Sequence, residues 1–131
     1  MKYLFRTAFA LALVTSVGLA QVASAQTVKG EAELGLLKPV TKVEGKTVIT
    51  TLQVKNLSNG RISGLKVSEF WYDKAGNSAP GATVQLRLPL AAGAVKTLTL
   101  KTPWTSKMDR NSYTFTHRNG TVKTKVFASF D

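Results

Sequence analysis

The segment Thr47–Lys55, with the sequence TVITTLQVK, decides the fold class of this chain. Its side chains alternate between two faces, and β-branched residues dominate it. Alternation with period two is the pattern of a β-strand that buries one face. The run Asn56–Gly60 is rich in turn-forming residues and ends the predicted strand.

The same pattern continues toward the C-terminus, and no convincing helical period occurs after residue 25. We also expect one edge strand between residues 30 and 45. About seven short alternating strands in roughly 100 residues are typical of an immunoglobulin-like fold. The sequence therefore predicts an all-β domain, a single antiparallel β-sandwich, with a small barrel as the alternative. The other predicted strands lie at Ile62–Tyr72, Val84–Leu88, Val95–Thr102, Ser112–Arg118 and Thr121–Phe130.

The last two predicted strands flank Asn119–Gly120, a pair that favours a two-residue hairpin turn. A turn at those two residues sets the register, so that His117 faces Val122, Phe115 faces Thr124 and Tyr113 faces Val126. We expect all six of these side chains on the core face of the sheet.

The stretch Glu69–Asn77, EFWYDKAGN, places aromatic rings among carboxylates. Period two puts Val67, Glu69 and Trp71 on one face, where Trp71 is expected to fill the core. An acid at such a position requires either a β-bulge or a lysine from a neighbouring strand. Asp73 is expected to accept backbone N–H bonds in the following turn.

The N-terminus has the three parts of a secretory signal peptide. Lys2 and Arg6 are basic, Thr7–Ala20 is uncharged and mostly apolar, and Ala23–Ala25 is a small-residue cleavage signal before Gln26. The apolar run is shorter than the roughly 20 residues of a spanning helix. We therefore predict a helical signal peptide at residues 1–25 and a β-sandwich domain at residues 26–131, exported to the periplasm or the medium.

Charge and cysteine content limit the function. The domain has no cysteine, which excludes disulfides, thiol catalysis and thiolate metal sites. After removal of Lys2 and Arg6 it carries 16 basic and 7 acidic residues, a net charge of +9. Such a charge attracts anionic partners. The lysines are spread along the chain, however, so most of them are expected to solvate outer faces and strand edges.

Three short elements carry a resemblance to a known family: Val54–Ser58, Tyr72–Asp73 with Gly76–Asn77, and Leu90–Gly93. Through them residues 46–102 resemble the FxLYD domain of bacterial exported proteins. Glu69 stands where that family has Phe, and Trp71 where it has Leu. The resemblance implies a sandwich fold and an extracytoplasmic setting, with no enzymatic activity and no functional residue to carry over.

No catalytic or metal-binding pattern stands out. His117, the single histidine, has no adjacent acid or nucleophile motif, and it is expected to be a half-buried cross-strand partner. Asp73–Asn77 lacks the alternating acids of a calcium loop. We expect no enzyme, no metal and no cofactor.

The sequence therefore predicts an exported, non-enzymatic module that binds a protein or a polymer in the cell envelope or the secreted fraction. The alternative is an electrostatic binder of an anionic polymer, either an envelope polymer or, less in keeping with the pattern, nucleic acid. The expected ligand surface combines an aromatic ring that follows a proline with nearby cations. Its residues are Trp104, Lys101, Lys107 and Arg110.

Overall fold

The computed structural model describes residues 26–131, and the predicted signal peptide, residues 1–25, lies outside them. The described part is all-β and contains no helix, which confirms the predicted class. It has eight strands, against about seven predicted. Their bounds are β1 Ala32–Leu37, β2 Val40–Glu44, β3 Thr47–Asn56, β4 Lys66–Tyr72, β5 Ser78–Gln85, β6 Val95–Pro103, β7 Arg110–His117 and β8 Gly120–Phe127.

The strands form one curled, mostly antiparallel sheet with two walls. In the first wall, β3 pairs with β6 along one side and with β2 and β1 along the other. β8 extends this wall by pairing with β1 in parallel over six residue pairs, an exception to the predicted antiparallel order. In the second wall, β4 lies between β5 and β7.

Two narrow seams join the walls. At one seam, β7 and β8 share only two residue pairs before β8 moves to β1. At the other seam, the Ala82 N–H of β5 donates to Thr102 Oγ1 of β6 at 3.0 Å. The fold is therefore a sandwich that curls toward a barrel, and side-chain contacts close its interior where the backbone ladders do not.

The core fills the space between the walls with aliphatic side chains. Each fully buried leucine or valine stabilises the fold by roughly 1.5–3 kcal/mol. Since there is no disulfide, packing and hydrogen bonds hold the domain together. The core residues are Ala32, Leu34, Leu52, Val54, Ile62, Leu65, Val67, Leu90, Leu98 and Leu100.

The predicted register of the last hairpin is wrong. His117 pairs with Gly120 rather than facing Val122, and the turn consists of residues 118–119. Beyond the turn β8 follows β1, so that Val126, predicted to face the core, is 69% exposed. The N-terminal segment explains the departure, because the Gly30 N–H donates to the carbonyl oxygen of residue 119 at 2.9 Å and occupies the hairpin tip.

The position of the fifth strand also differs from the prediction. The loop expected at residues 78–81 is the beginning of β5, whereas Leu88, expected to be in the strand, is 78% exposed. On β7, Tyr113 and Phe115 pack half-buried against the core, as the alternation predicts. Alternation therefore identified the inner face of β7. It misplaced β5, because few side-chain contacts fix the position of a strand at the edge of a sheet.

Candidate functional site: an end cleft above a buried carboxyl group

The carboxyl group of Glu69 lies in the interior of the domain. Glu69 is 1% exposed, as deeply buried as Leu65 on the same wall. The pairing of β4 with β5 shifts register between Ser68 and Phe70, so the sheet is irregular at the predicted position. The extra residue lies on β5 rather than on the strand of Glu69, because Ser68 pairs with Thr83 and Phe70 with Pro80. β4 itself keeps an unbroken register with β7, and the Glu69 side chain shares the inner face of Val67 through regular alternation.

Neutral side chains satisfy the Glu69 carboxyl group. Thr50 Oγ1 donates to Oε2 at 2.8 Å, and Asn111 Nδ2 donates to the same oxygen at 2.9 Å. Thr102 Oγ1 donates to Oε1 at 3.4 Å. The alternative prediction of a lysine partner is wrong, since among residues 26–131 the ion pair found is Lys42–Glu44. Buried acceptors require such donors, because each unpaired buried polar group costs about 1–3 kcal/mol.

Tyr113 extends this set toward β7. Asn111 Nδ2 also donates to the Tyr113 hydroxyl oxygen at 3.0 Å. Burial raises the pKa of the Tyr113 phenol above its ordinary value, and the nearby charge of Glu69 raises it further. We call Glu69, Thr50, Thr102, Asn111 and Tyr113 the Glu69 network.

A cleft of about 720 Å³ opens at the end of the domain next to this network. It lies between the β4–β5 turn and the loop that joins β6 to β7, and we call this region the cleft end. Its volume falls within the range of small-ligand pockets, roughly 300–1,000 Å³. The lining residues are Trp71, Tyr72, Asp73, Asn77, Ser78, Ala79, Pro80, Thr102, Pro103, Thr105, Ser106, Lys107 and Met108.

Trp71 is the largest side chain in the cleft lining. It is half-buried, so only part of the side chain packs in the core, and the rest lines the cleft. Its indole Nε1 is buried and has no hydrogen-bond acceptor among the described residues. Gly81 allows β5 to cross it, because a Cβ there would lie 3.1 Å from Trp71 Cδ1. Thr102 belongs to both the cleft and the Glu69 network, since it lines the cleft and donates to Glu69.

Asp73 stabilises the turn on one side of the cleft. Its Oδ1 accepts the backbone N–H groups of Ala75 and Asn77, both at 2.9 Å, as predicted. Hydrogen bonds from Asn77 hold the pKa of the Asp73 carboxyl below its ordinary value. This carboxylate therefore has a structural role, and Gly76 closes the turn with φ +91°.

The structure places the four residues of the predicted ligand surface on β6, in the β6–β7 loop and at the start of β7, and their role stays a prediction. Lys107 lines the cleft, whereas Trp104 is 47% exposed in the adjoining loop. Lys101 is exposed on β6, close enough to Glu44 to help lower the pKa of that carboxyl after Lys42. Arg110 lies with its Cζ 5.4 Å from the centre of the Tyr72 ring.

The sequence prediction missed the half of the cleft formed by residues 78–80, because it placed a loop there. It also missed Trp71 as a lining residue, because alternation assigned the whole indole to the core. The aromatic residues of EFWYDKAGN nevertheless end at this cleft, since Trp71, Tyr72 and Asp73 all line it.

His117 lies at the opposite end of the domain and has a structural role. It is 6% exposed, more deeply buried than predicted, and its Nε2 lies 2.7 Å from the Gly30 carbonyl oxygen. A carbonyl only accepts, so Nε2 donates, while Nδ1 accepts the Asn119 N–H at 3.3 Å. Both ring nitrogens therefore form hydrogen bonds with main-chain groups, and neither faces the cleft.

The strands and their pairing define a small all-β domain. The structure is similar to IrmA from Escherichia coli, with a TM-score of 0.51, 10% identity, and coverage of 72% of this chain and 91% of that one. It is also similar to a DUF1425 family member from Shewanella sp. pv-4, with a TM-score of 0.49, 16% identity, and coverage of 63% and 75%.

No family model matches the sequence, and no curated protein matches it significantly. A third structure, DesR, a β-glucosidase from Streptomyces venezuelae, is similar over 64% of this chain but only 13% of its own length, with a TM-score of 0.48 and 13% identity. At 10% identity the likeness to IrmA shows a shared fold alone. The resemblance to the FxLYD domain stays a prediction.

Proposed function

We propose that this protein is an exported, non-enzymatic binding module that holds a segment of a partner protein in the end cleft. The cleft itself carries the proposal. It combines a large aromatic ring, two prolines, several hydroxyl groups and one lysine in a space of about 720 Å³. Binding sites of proteins commonly combine an apolar lining with a few polar groups in this way.

The non-enzymatic part of the proposal rests on what the chemically capable side chains do. The His117 ring holds the main chain of Gly30 and Asn119. The Glu69 carboxyl group is 1% exposed and bound by neutral donors. Catalytic acids and bases must reach a substrate, and both of these groups are committed to holding the fold.

The exported part rests on the sequence of residues 1–25. Their basic start, apolar middle and small-residue end are the parts of a cleavable signal. In the part of the chain that the structure describes, no helix is long and apolar enough to cross a membrane.

Site-directed crosslinking tests the position of the site. The chain has no cysteine, so Ser106→Cys in the cleft wall and Ala92→Cys in an exposed turn at the opposite end each introduce a single thiol. Each thiol is labelled with a photo-crosslinker and exposed to an envelope fraction. We expect one defined adduct from the Ser106→Cys variant and none from the Ala92→Cys variant. Equal labelling from both positions would contradict the cleft as the site.

The salt dependence of binding distinguishes the proposed module from the alternative, an electrostatic binder of an anionic polymer. A protein that neutralises several phosphates loses affinity steeply as salt rises, so a genuine binder remains on a heparin column to high salt. We expect elution below about 0.2 M salt, as for nonspecific attraction to a net charge of +9. Retention well above that, reduced by Lys107→Gln, would favour the polymer.

A further inference from the structure

The residues that follow the predicted cleavage site are built into the fold. Gln26–Gly30 runs along the end of the domain opposite the cleft, which we call the docking end. The Arg61 N–H donates to the Gln26 carbonyl oxygen at 2.8 Å. The Gly30 N–H donates to the Asn119 carbonyl oxygen at 2.9 Å. The main chain is therefore held at both ends of this short segment.

The docking end has no room for side chains where this segment crosses it. A Cβ on Gly60 would lie 2.5 Å from the Gln26 carbonyl oxygen. A Cβ on Gly120 would overlap the main chain of Gly30. Gly60, Gly120 and His117 thus pack closely against the main chain of residues 26–30. Signal cleavage after Ala25 would leave Gln26, a residue with a fixed main chain, as the first residue of the mature protein.

In an N-terminal glutamine, the side-chain amide carbon is an electrophile within reach of the α-amine. The free α-amine can attack the Cδ carbonyl carbon of the same side chain, forming the C–N bond of a five-membered lactam. The C–N bond to the side-chain nitrogen breaks, and that nitrogen leaves with the amine proton as ammonia. No oxidant, cofactor or co-reactant is required. Gln26 is exposed, so the reacting atoms are not enclosed by the core.

The surrounding charge favours the lactam over the free amine. Arg61 Nε donates to Thr27 Oγ1 at 3.0 Å, which places the guanidinium one residue from the new chain end. Lys29 is exposed two residues further on. A protonated terminal amine would add a third positive charge to this corner, and like charges in proximity are destabilising. Cyclisation removes that charge while the Gln26 carbonyl oxygen keeps its bond to Arg61.

We propose that Gln26 is a modification site: after cleavage behind Ala25 it cyclises, and the mature protein begins with a pyroglutamyl residue. The inference rests on the exported part of the proposed function and is independent of the cleft.

The test is the mass and the N-terminus of the exported protein. The full chain is produced in a bacterial host that exports it, and the product is purified from the periplasm or medium without an N-terminal tag. We expect the intact mass of residues 26–131 less one ammonia. We also expect no signal in stepwise N-terminal sequencing until the sample is treated with pyroglutamyl peptidase. A Gln26→Ala variant should be sequenced directly, since it cannot cyclise.

The outcomes separate the two proposals. A product that begins with an open Gln26 at full mass would overturn the cyclisation and leave export standing. An exported product that begins at a residue other than Gln26 would overturn the modification and leave export standing. Retention of the chain inside the cell with residues 1–25 attached would overturn both the export proposal and the modification. Loss of one positive charge gives an independent readout, because the cyclised protein should elute from a cation exchanger before the same chain with an open terminus.

Discussion

The two ends of this domain both bury polar groups, but they satisfy them in different ways. At the docking end, Asn56 is 1% exposed, and its Nδ2 donates to the carbonyl oxygens of Gly60 and Leu90 at 2.8 and 2.9 Å. At the cleft end, Glu69 is equally buried but accepts from side chains, and the Trp71 indole N–H has no acceptor among the described residues.

These different hydrogen-bond partners give the two ends different rigidity. Backbone partners cannot be removed by substitution, so the docking end is a rigid closure in which main chain lies against main chain. Side-chain partners can rearrange, and a buried donor without a partner destabilises the arrangement that leaves it unpaired. Rigid scaffolds with adaptable ends are the common arrangement of binding domains.

The largest effect is expected from Gly120→Ala at the docking end. The added Cβ would overlap the main chain of Gly30, so the N-terminal segment or the hairpin must move. Overpacking of this kind costs about 3 kcal/mol. Urea unfolding followed by circular dichroism measures the loss.

Gly45→Ala is the matched control for that substitution. Gly45 has φ +61°, and no atom lies within 4 Å of the position that a Cβ would take there. The cost of this substitution is therefore backbone strain alone, about 1 kcal/mol. Equal losses for the two variants would show that the docking end is looser than its geometry indicates.

A somewhat smaller effect is expected from Glu69→Leu at the cleft end. The substitution removes the carboxyl acceptor of Thr50, Thr102 and Asn111, so each loses one hydrogen bond in the interior. We expect a loss of about 2 kcal/mol in the free energy of unfolding, reduced by the added apolar burial. Glu69→Gln keeps one acceptor oxygen and should lose less. If Glu69→Leu were as stable as the natural protein, the network would not hold this end together.

Gly81→Ala should affect the cleft more than the stability. Its Cβ would lie 2.9 Å from the Glu69 carbonyl oxygen and 3.1 Å from Trp71 Cδ1, so the two strands must separate slightly and the indole is crowded. In a Trp104→Phe background, which leaves Trp71 as the single tryptophan of the domain, we expect a change in emission maximum and a stability loss of about 1 kcal/mol. An unchanged spectrum would contradict the close crossing of β5 over Trp71.

The smallest effect concerns alkaline pH. The pKa of Tyr113 is raised by burial and by the charge of Glu69, so the folded state keeps the phenolic proton after the unfolded chain has lost it. Stability from this source is complete below the ordinary tyrosine pKa of about 10 and is lost as the pH rises through the higher folded value. Melting temperatures across this range should fall less for Tyr113→Phe. Parallel curves for the two proteins would contradict this linkage.

Some of this could be predicted from residues alone. Alternation identified the all-β class and the buried face of Val67 and Glu69, because a strand with one buried face must repeat every two residues. The turn at Asp73 was predictable because an aspartate can accept backbone N–H bonds a few residues ahead of itself.

Other features required the tertiary structure. The register of the last hairpin was misread because the local preference of Asn119–Gly120 was overridden by residues 26–30, which are distant in sequence and occupy its tip. The lysine partner, one of two alternatives predicted for Glu69, was wrong because Thr50, Thr102 and Asn111 from three other strands donate to the carboxyl group.

The sequence by itself determined that this chain forms short strands around one aliphatic core without disulfides, since periodicity and composition are local properties. Only the tertiary structure decided that the first and last strands pair in parallel and that Trp71 lines a cleft beside Lys107. Such pairings and cavities depend on which distant segments meet, and a single sequence does not encode that meeting in any local pattern.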